Sequence, residues 1–301
     1  MTGTAVICLG ETMAQIGPAD GTPLEHSEAL RLAVAGAEST VAQYLADLGH
    51  RAAWVSRVGD DPFGRRVVRA VASRGVDVGG VLVDPDAPTG VYFKDPGPDG
   101  TRVHYYRAGS AASRMSVADA DRVELHGVRL LHLTGITPAL SDGCAALVRT
   151  VMERARRGGT LVSFDVNHRA ALWASSKEAA ATLHDLARLA DLVLVGRDEA
   201  EVLWGTRTAD DVRRLLGGSR TLVVKDGDVG VTEFGPDSTH FVAAPAVDVV
   251  EVVGAGDAFA AGYLGGLLDG AAPRERLALG HRLAGRTLRS IEDYVPVTDG
   301  S

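Results

Sequence analysis

The sequence predicts an α/β protein: a mostly parallel sheet flanked by helices on both faces, with a small β-lid. Three observations carry this. Short β-branched runs alternate with longer Ala/Leu/Arg segments of helical period, the strand runs are apolar throughout, and one region around a Pro/Asp/Gly turn breaks the alternation. A strand with one wet face alternates apolar and polar residues, whereas a strand covered by helices on both sides is continuously apolar.

Residues 5–9 (AVICL) form the first strand. No basic stretch precedes this short apolar run, so MTGTAVICLG predicts a strand and not a signal peptide. Residues 15–34 lack helical period. Helical period returns at 38–48 and 63–73, on either side of a strand at 53–57, and Asp61-Pro62 supplies a capping side chain and a first-turn proline for the second helix. Residues 90–95 and 101–107 form a hairpin around PGPDG, which together with 15–34 makes the lid. Strands follow at 130–133, 160–165, 192–195 and 221–225, separated by helices at 142–156, 177–189 and 198–203. The last strand turns back at Asp226-Gly227, read as a type I′ turn, into a partner at 230–235. Residues 1–301 are expected to form one unit, with lid segments at about 12–35 and 88–110. A (β/α)8 barrel also fits the length, but the hairpin and the late glycine-rich loop count against it.

Composition narrows the function. Hydrophobic residues make up 46% of the 301 and charged residues 23%, the balance of a globular protein with ample core. The net charge of −8 makes the chain a poor partner for nucleic acid or anionic lipid, so any anionic ligand must find its positive charge locally. Cys8 and Cys144 are too few for a disulfide framework or a cysteine zinc site. No stretch approaches the ~20 apolar residues of a membrane span, so a cytoplasmic protein is expected. Arginine outnumbers lysine 28 to 3, a bias of composition that gives arginine abundance no weight of its own.

The most informative stretch is EVVGAGDAFAAGYLGG, residues 251–266. Gly254-Ala255-Gly256 lets backbone approach a ligand closely, and the helix that follows at 257–268 offers unpaired N–H groups and a positive dipole end, which suit phosphate. Asp257 then has two readings. It is a cap that satisfies those N–H groups, or it is a base that takes a proton from an attacking hydroxyl while the loop neutralises a transferring phosphoryl group.

The company of that loop favours the second reading. GAGDAFAAGYLGG resembles the C-terminal signature of the ribokinase/PfkB carbohydrate kinase superfamily, and VAGAESTVAQYLADLGHRAAWVSRVGDDPFG, residues 34–64, resembles its N-terminal one. Within the superfamily the chain is most similar to 2-keto-3-deoxygluconate kinases, through VHYYRAGSAAS (103–113), LHLTGITPALS (131–141) and SFDVNHRAALW (163–173). The resemblance implies a ribokinase-like fold and ATP-dependent, Mg²⁺-assisted phosphorylation of the sugar acid at its terminal 6-hydroxyl. Asp257 would be the base, with Gly254, Ala255 and Gly256 as the anion cradle.

A sugar acid needs what a neutral sugar does not. Arginine's planar fork binds a carboxylate bidentately, and Arg107 and Arg169 sit at a lid-strand end and just past a sheet-strand end. Period two puts one of Tyr105 and Tyr106 on each face of the lid strand; the family pattern favours Tyr106 in the cleft, with Tyr92 on the paired strand. The resemblance adds Gly36, Ile136 and Asp293 to the substrate site. For nucleotide it implies Lys225, Gly227 and Gly230, from a K-x-G-x-x-G stretch, and His281 near adenine. For Mg²⁺ it implies Glu199 acting through water, with Asp165 and Asn167 at the neighbouring strand end.

The chain departs from the pattern at Gly196, Ala35 and Thr40, where Asn, Gly and Asn are usual, and at IED in SIEDYVP. Other expectations therefore stand beside the first: a kinase for fructose, ribose or a keto-deoxygalactonate, and a retired kinase that senses sugar acid or nucleotide. The lid's unpaired, partly apolar face predicts a homodimer or higher homo-oligomer.

Overall fold

The computed structural model describes residues 5–98, 100–217 and 220–297. Its centre is β1 (Val6–Leu9), every residue of which is buried. Alternate side chains of β1 enter different cores: Ile7 and Leu9 face one apolar cluster, Val6 and Cys8 the other. A strand can be apolar throughout only because both its faces are covered.

On one side β1 pairs in parallel with β4 (Ala52–Gly59), and β4 with the edge strand β5 (Asp77–Asp84). On the other side β8 (Leu130–Thr134), β9 (Leu161–Asp165), β10 (Leu192–Gly196) and β11 (Thr221–Asp226) follow in parallel. Two antiparallel strands, β12 (Gly230–Phe234) and β13 (Thr239–Ala243), finish that edge. One face is covered by α1 (Ala37–Asp47), α2 (Pro62–Ala72), α7 (Ala255–Leu268) and α8 (Pro273–Leu288). The other carries α3 (Asp142–Gly158), α4 (Ser176–Leu189), α5 (Arg197–Trp204) and α6 (Ala209–Leu216). This is the expected α/β class. The β11–β12 connection differs from the expected two-residue turn: Gly227, Asp228 and Val229 form it, with Gly227 at φ +50°.

A second sheet stands over the C-terminal ends of the parallel strands. It is built from β2 (Met13–Pro18), β3 (Leu30–Ala35), β6 (Val91–Gly97) and β7 (Gly100–Tyr106), in the order β3-β2-β6-β7. Asp99, in the PGPDG turn, lies outside the described residues, as do both ends of the chain. The elements with no clear sequence signal are β5, α6, β13 and α8. Strands β5 and β13 lie at or near sheet edges with alternating exposure, and β5 carries a Gly-Gly pair that hides its period. Cys8 and Cys144 are free, buried thiols. Among the described residues no helix is long and apolar enough to cross a membrane.

The Asp61-Pro62 signal is realised in full. Asp61 caps α2, accepting from the Gly64 N–H at 2.7 Å through one oxygen and from the Thr89 N–H at 2.7 Å through the other. It thus ties a helix start to the approach of the second sheet. Asp61→Ala should lower stability by about 1–2 kcal/mol in urea denaturation, the scale of a lost cap, with an unchanged m-value.

Candidate active site

The parallel strands end beneath the second sheet, and a cavity of about 650 Å³ lies between the two. Open α/β sheets present ligand sites at this end because the loops there diverge and leave helix N-termini facing the gap. Here the helix is α7. Gly254, its N-cap, has φ +85°, and a Cβ on it would lie 2.5 Å from the Asp293 carbonyl oxygen. Both conformation and space therefore demand glycine. The first N–H groups of α7 have no intrahelical partner and open on the cavity beside Gly254 and Gly256.

Asp257 projects from the first turn of α7 into the cavity. Its Oδ1 accepts from Asn167 Nδ2 at 3.2 Å. Burial pushes its carboxyl up to about 7; the Arg169 guanidinium pulls the other way, and the Asp165 carboxylate pushes further up. Asn167 holds φ +38°, alone among the described non-glycine residues in the left-handed region. That strained turn follows β9 and aims two donors at two carboxylates. Asn167 donates to Asp257, and the next N–H, of His168, donates to Glu199 Oε1 at 2.9 Å.

Glu199 reaches back with its other oxygen to the Gly196 N–H at 2.8 Å, closing the start of α5. Burial raises its pKa. Lys225, from the end of β11, pairs with Asp165 at the end of β9 at 2.8 Å. Burial works against the ammonium, but the carboxylates of Asp165 and Glu199 outweigh it and hold its pKa above the usual value.

Among the described residues no group of three or more His, Cys, Asp or Glu side chains could by itself hold a metal ion. Mg²⁺ does not require one, because it keeps most of its waters and takes one or two carboxylates plus phosphate oxygens. Glu199 fits that role, and so does Asp165, whose Oδ1 is buried with no hydrogen-bond partner among the described residues. Asn167 differs from the metal expectation in that its amide is spent on Asp257.

Gly36, Ile136, Tyr92 and Arg107 face the same cavity, as does Gly227 near Lys225, and Arg169 enters it 3.9 Å from Glu199. Arg107 is 8% exposed and paired with Glu11; its guanidinium stands 5.6 Å from the centre of the Tyr105 ring. Asp293 also lines the cavity, but the protein uses both its oxygens. Tyr92 Oη donates to Oδ2 at 2.9 Å and Lys94 Nζ to Oδ1 at 2.5 Å.

One expected substrate residue is corrected. Tyr106 is 68% exposed and lies on the outer face, while Tyr105 lines the cavity. The cause is register: β6 and β7 pair with Tyr92 opposite Tyr105, so these two share the inner face, and Arg107, two residues on, shares it as well. That spacing was available in the sequence, since Arg107 and Tyr105 sit two apart. Gly230 and His281 also fall outside the cavity lining. Gly230 opens β12 at φ +146°, where a Cβ would strike the Val242 carbonyl oxygen, and His281 sits 3.2 Å from that same oxygen with its ring edge-on to Phe259. Ala255 lies in the cradle backbone without lining the cavity. Glu11 and His168 line the cavity and Lys94 braces Asp293 from outside it; none of the three was expected as a site residue from the sequence. Lys94 shares the face of Tyr92 by period two, whereas the sequence around Glu11 assigns it no partner.

Residues 4–298 match the model of the pfkB family carbohydrate kinases. The 2-dehydro-3-deoxygluconokinase of Thermoproteus tenax is 36% identical over 281 residues, covering 91% of this chain and 85% of that one. The 2-dehydro-3-deoxygalactonokinase of Haloferax volcanii is 33% identical over 282 residues, covering 91% and 88%. Among solved structures, a PfkB protein from Polaromonas sp. JS666 superposes with a TM-score of 0.89 at 38% identity, covering 96% of this chain and 97% of its own.

The raised Asp257 carboxyl has a consequence for stability. Between about pH 4 and pH 7 the folded protein keeps a proton on Asp257 that the unfolded chain releases, so this group makes stability fall as pH rises through that window. Asp257→Asn removes the liability. Its melting temperature should exceed that of the parent at pH 8, and the difference should vanish by pH 4. A variant no more stable at pH 8 than its parent would contradict the shift.

Proposed function

The chain belongs to the pfkB family of carbohydrate kinases, and from that premise we propose that it transfers the γ-phosphoryl group of ATP to the terminal 6-hydroxyl of 2-keto-3-deoxygluconate. The observation that carries the choice of substrate is the presence of two guanidinium groups, Arg107 and Arg169, in the cavity that also holds Asp257. In a protein of net charge −8 these supply the planar N–H donors that a carboxylate can engage. The 36% identity to a 2-dehydro-3-deoxygluconokinase supports the same choice.

In this reading the guanidiniums hold the acid end and Tyr105 and Ile136 flank the chain of the sugar acid, leaving its far hydroxyl beside Asp257. Asp257 accepts the hydroxyl proton as the oxygen bonds to the γ-phosphorus and the bond to the bridging oxygen of ADP breaks. The N–H groups at the start of α7 and the Lys225 ammonium stabilise charge on the transferring group. Glu199 and Asp165 would hold hydrated Mg²⁺, whose charge when bound offsets that of the phosphates. The second sheet covers the site and keeps water from competing with the hydroxyl. Its outer face carries the edge-on pair Phe93 and Tyr106, which supports pairing between copies of the chain through that face.

A second reading, the galactonate epimer, is favoured by the 33% identity to a 2-dehydro-3-deoxygalactonokinase. A coupled ADP-release assay across both keto-deoxy acids, fructose and ribose separates the readings. The proposal expects an acid to exceed either neutral sugar in kcat/KM, and a neutral sugar in first place would overturn it. Asp257→Asn should lower kcat roughly 100-fold or more with KM nearly unchanged, because general-base terms are worth ~10²–10⁴. The parent's kcat/KM should fall below about pH 7, as Asp257 takes up its proton.

A further inference from the structure

The chain passes between the main sheet and the second sheet four times, and all four crossings meet at one residue. Glu11 lies in the first crossing, between β1 and β2, and is 2% exposed. The second crossing, from β3 to α1, passes at Gly36, where a Cβ would lie 2.4 Å from the Glu11 carbonyl oxygen. The third enters β6 at Gly90, where a Cβ would lie 2.8 Å from Glu11 Oε1. The fourth leaves β7 through Arg107, whose Nη2 pairs with Glu11 Oε2, and Ser110, whose Oγ donates to Oε1 at 2.7 Å. A buried carboxylate with an ionic and a hydroxyl partner on the returning segment, and glycines pressed against it on two others, fixes where the second sheet joins the main one.

We propose that Glu11 is the positioning residue of this site, a single carboxylate that anchors the second sheet to the main one and sets the Arg107 guanidinium in the cavity. Pairing with Glu11 matches the charge of Arg107, so this arginine offers a substrate directed N–H groups more than net attraction. Its Nε has no hydrogen-bond partner among the described residues. Arg169 is more open to solvent and stands 3.9 Å from Glu199, a looser pairing than that of Arg107. The anchoring part stands on geometry alone; the Arg107 part rests on the sugar-acid reading above.

The test uses the full-length protein with Glu11→Gln, which keeps shape and an acceptor for Ser110 but loses the charge. Glu11→Asp keeps the charge but is one carbon too short to reach both partners, and it reads out the same quantities if the first variant does not fold. Amide hydrogen exchange in β2, β6 and β7 should accelerate roughly tenfold or more, with β1, β8 and β9 unchanged. The KM for 2-keto-3-deoxygluconate should rise roughly tenfold with the KM for ATP unchanged and kcat within about threefold, a split that general destabilisation does not produce. Parent-like exchange in the second sheet overturns the anchoring, and an unchanged or lower KM for the acid overturns the positioning of Arg107. If the parent itself prefers a neutral sugar, the sugar-acid reading fails, and the exchange measurement alone decides Glu11.

Discussion

Like charges gathered in a low-dielectric site repel one another strongly, and they persist there only when a counter-charge is buried with them. Asp165, Glu199 and Asp257 converge where the parallel strands end, and the Lys225 ammonium lies among them, 2.8 Å from Asp165. The sheet makes this arrangement possible. Strands β9, β10 and β11 run in parallel and in register, so Asp165 and Lys225 end on the same side of the molecule without any loop having to carry them there. Arg169 is the second cation that acts on Asp257. The site is thus a balance of nearby charges set by strand register, and burial, more than any one neighbour, pushes the Asp257 carboxyl up within it.

The fold was legible in the sequence wherever a strand is covered on both faces, because a short continuous apolar run such as AVICL or LVLV, set between helical segments, suits little besides a doubly buried strand. It was illegible at the edge strands β5 and β13, because a Gly-Gly pair hides the period of β5 and β13 is only five residues long. The site divides along the same line. Asp257 announces itself through the small-residue loop ahead of a helix. Tyr105 was readable in principle, from its spacing to Arg107, but strand period alone could not say which face of a hairpin turns inward until the pairing with Tyr92 was known. No role for Glu11 was read from the sequence, since its partners come from segments up to 99 positions away meeting around it.

Asn167 and Gly254 show how backbone conformation and charge are combined. Both stand in the left-handed region, one at the end of β9 and one at the start of α7, and each turns hydrogen-bond donors toward the cavity. For glycine the conformation is nearly free; for asparagine it costs on the order of 1 kcal/mol, and the contacts of Asn167 and His168 to two carboxylates offset it.

The segment after α8 joins what the two sheets keep apart. Asp293 presents its carboxylate to Tyr92 and Lys94 above, and its carbonyl lies where a side chain on Gly254 would have to go. The segment is a strut wedged between roof and cradle, so any displacement of it disturbs both walls of the cavity at once.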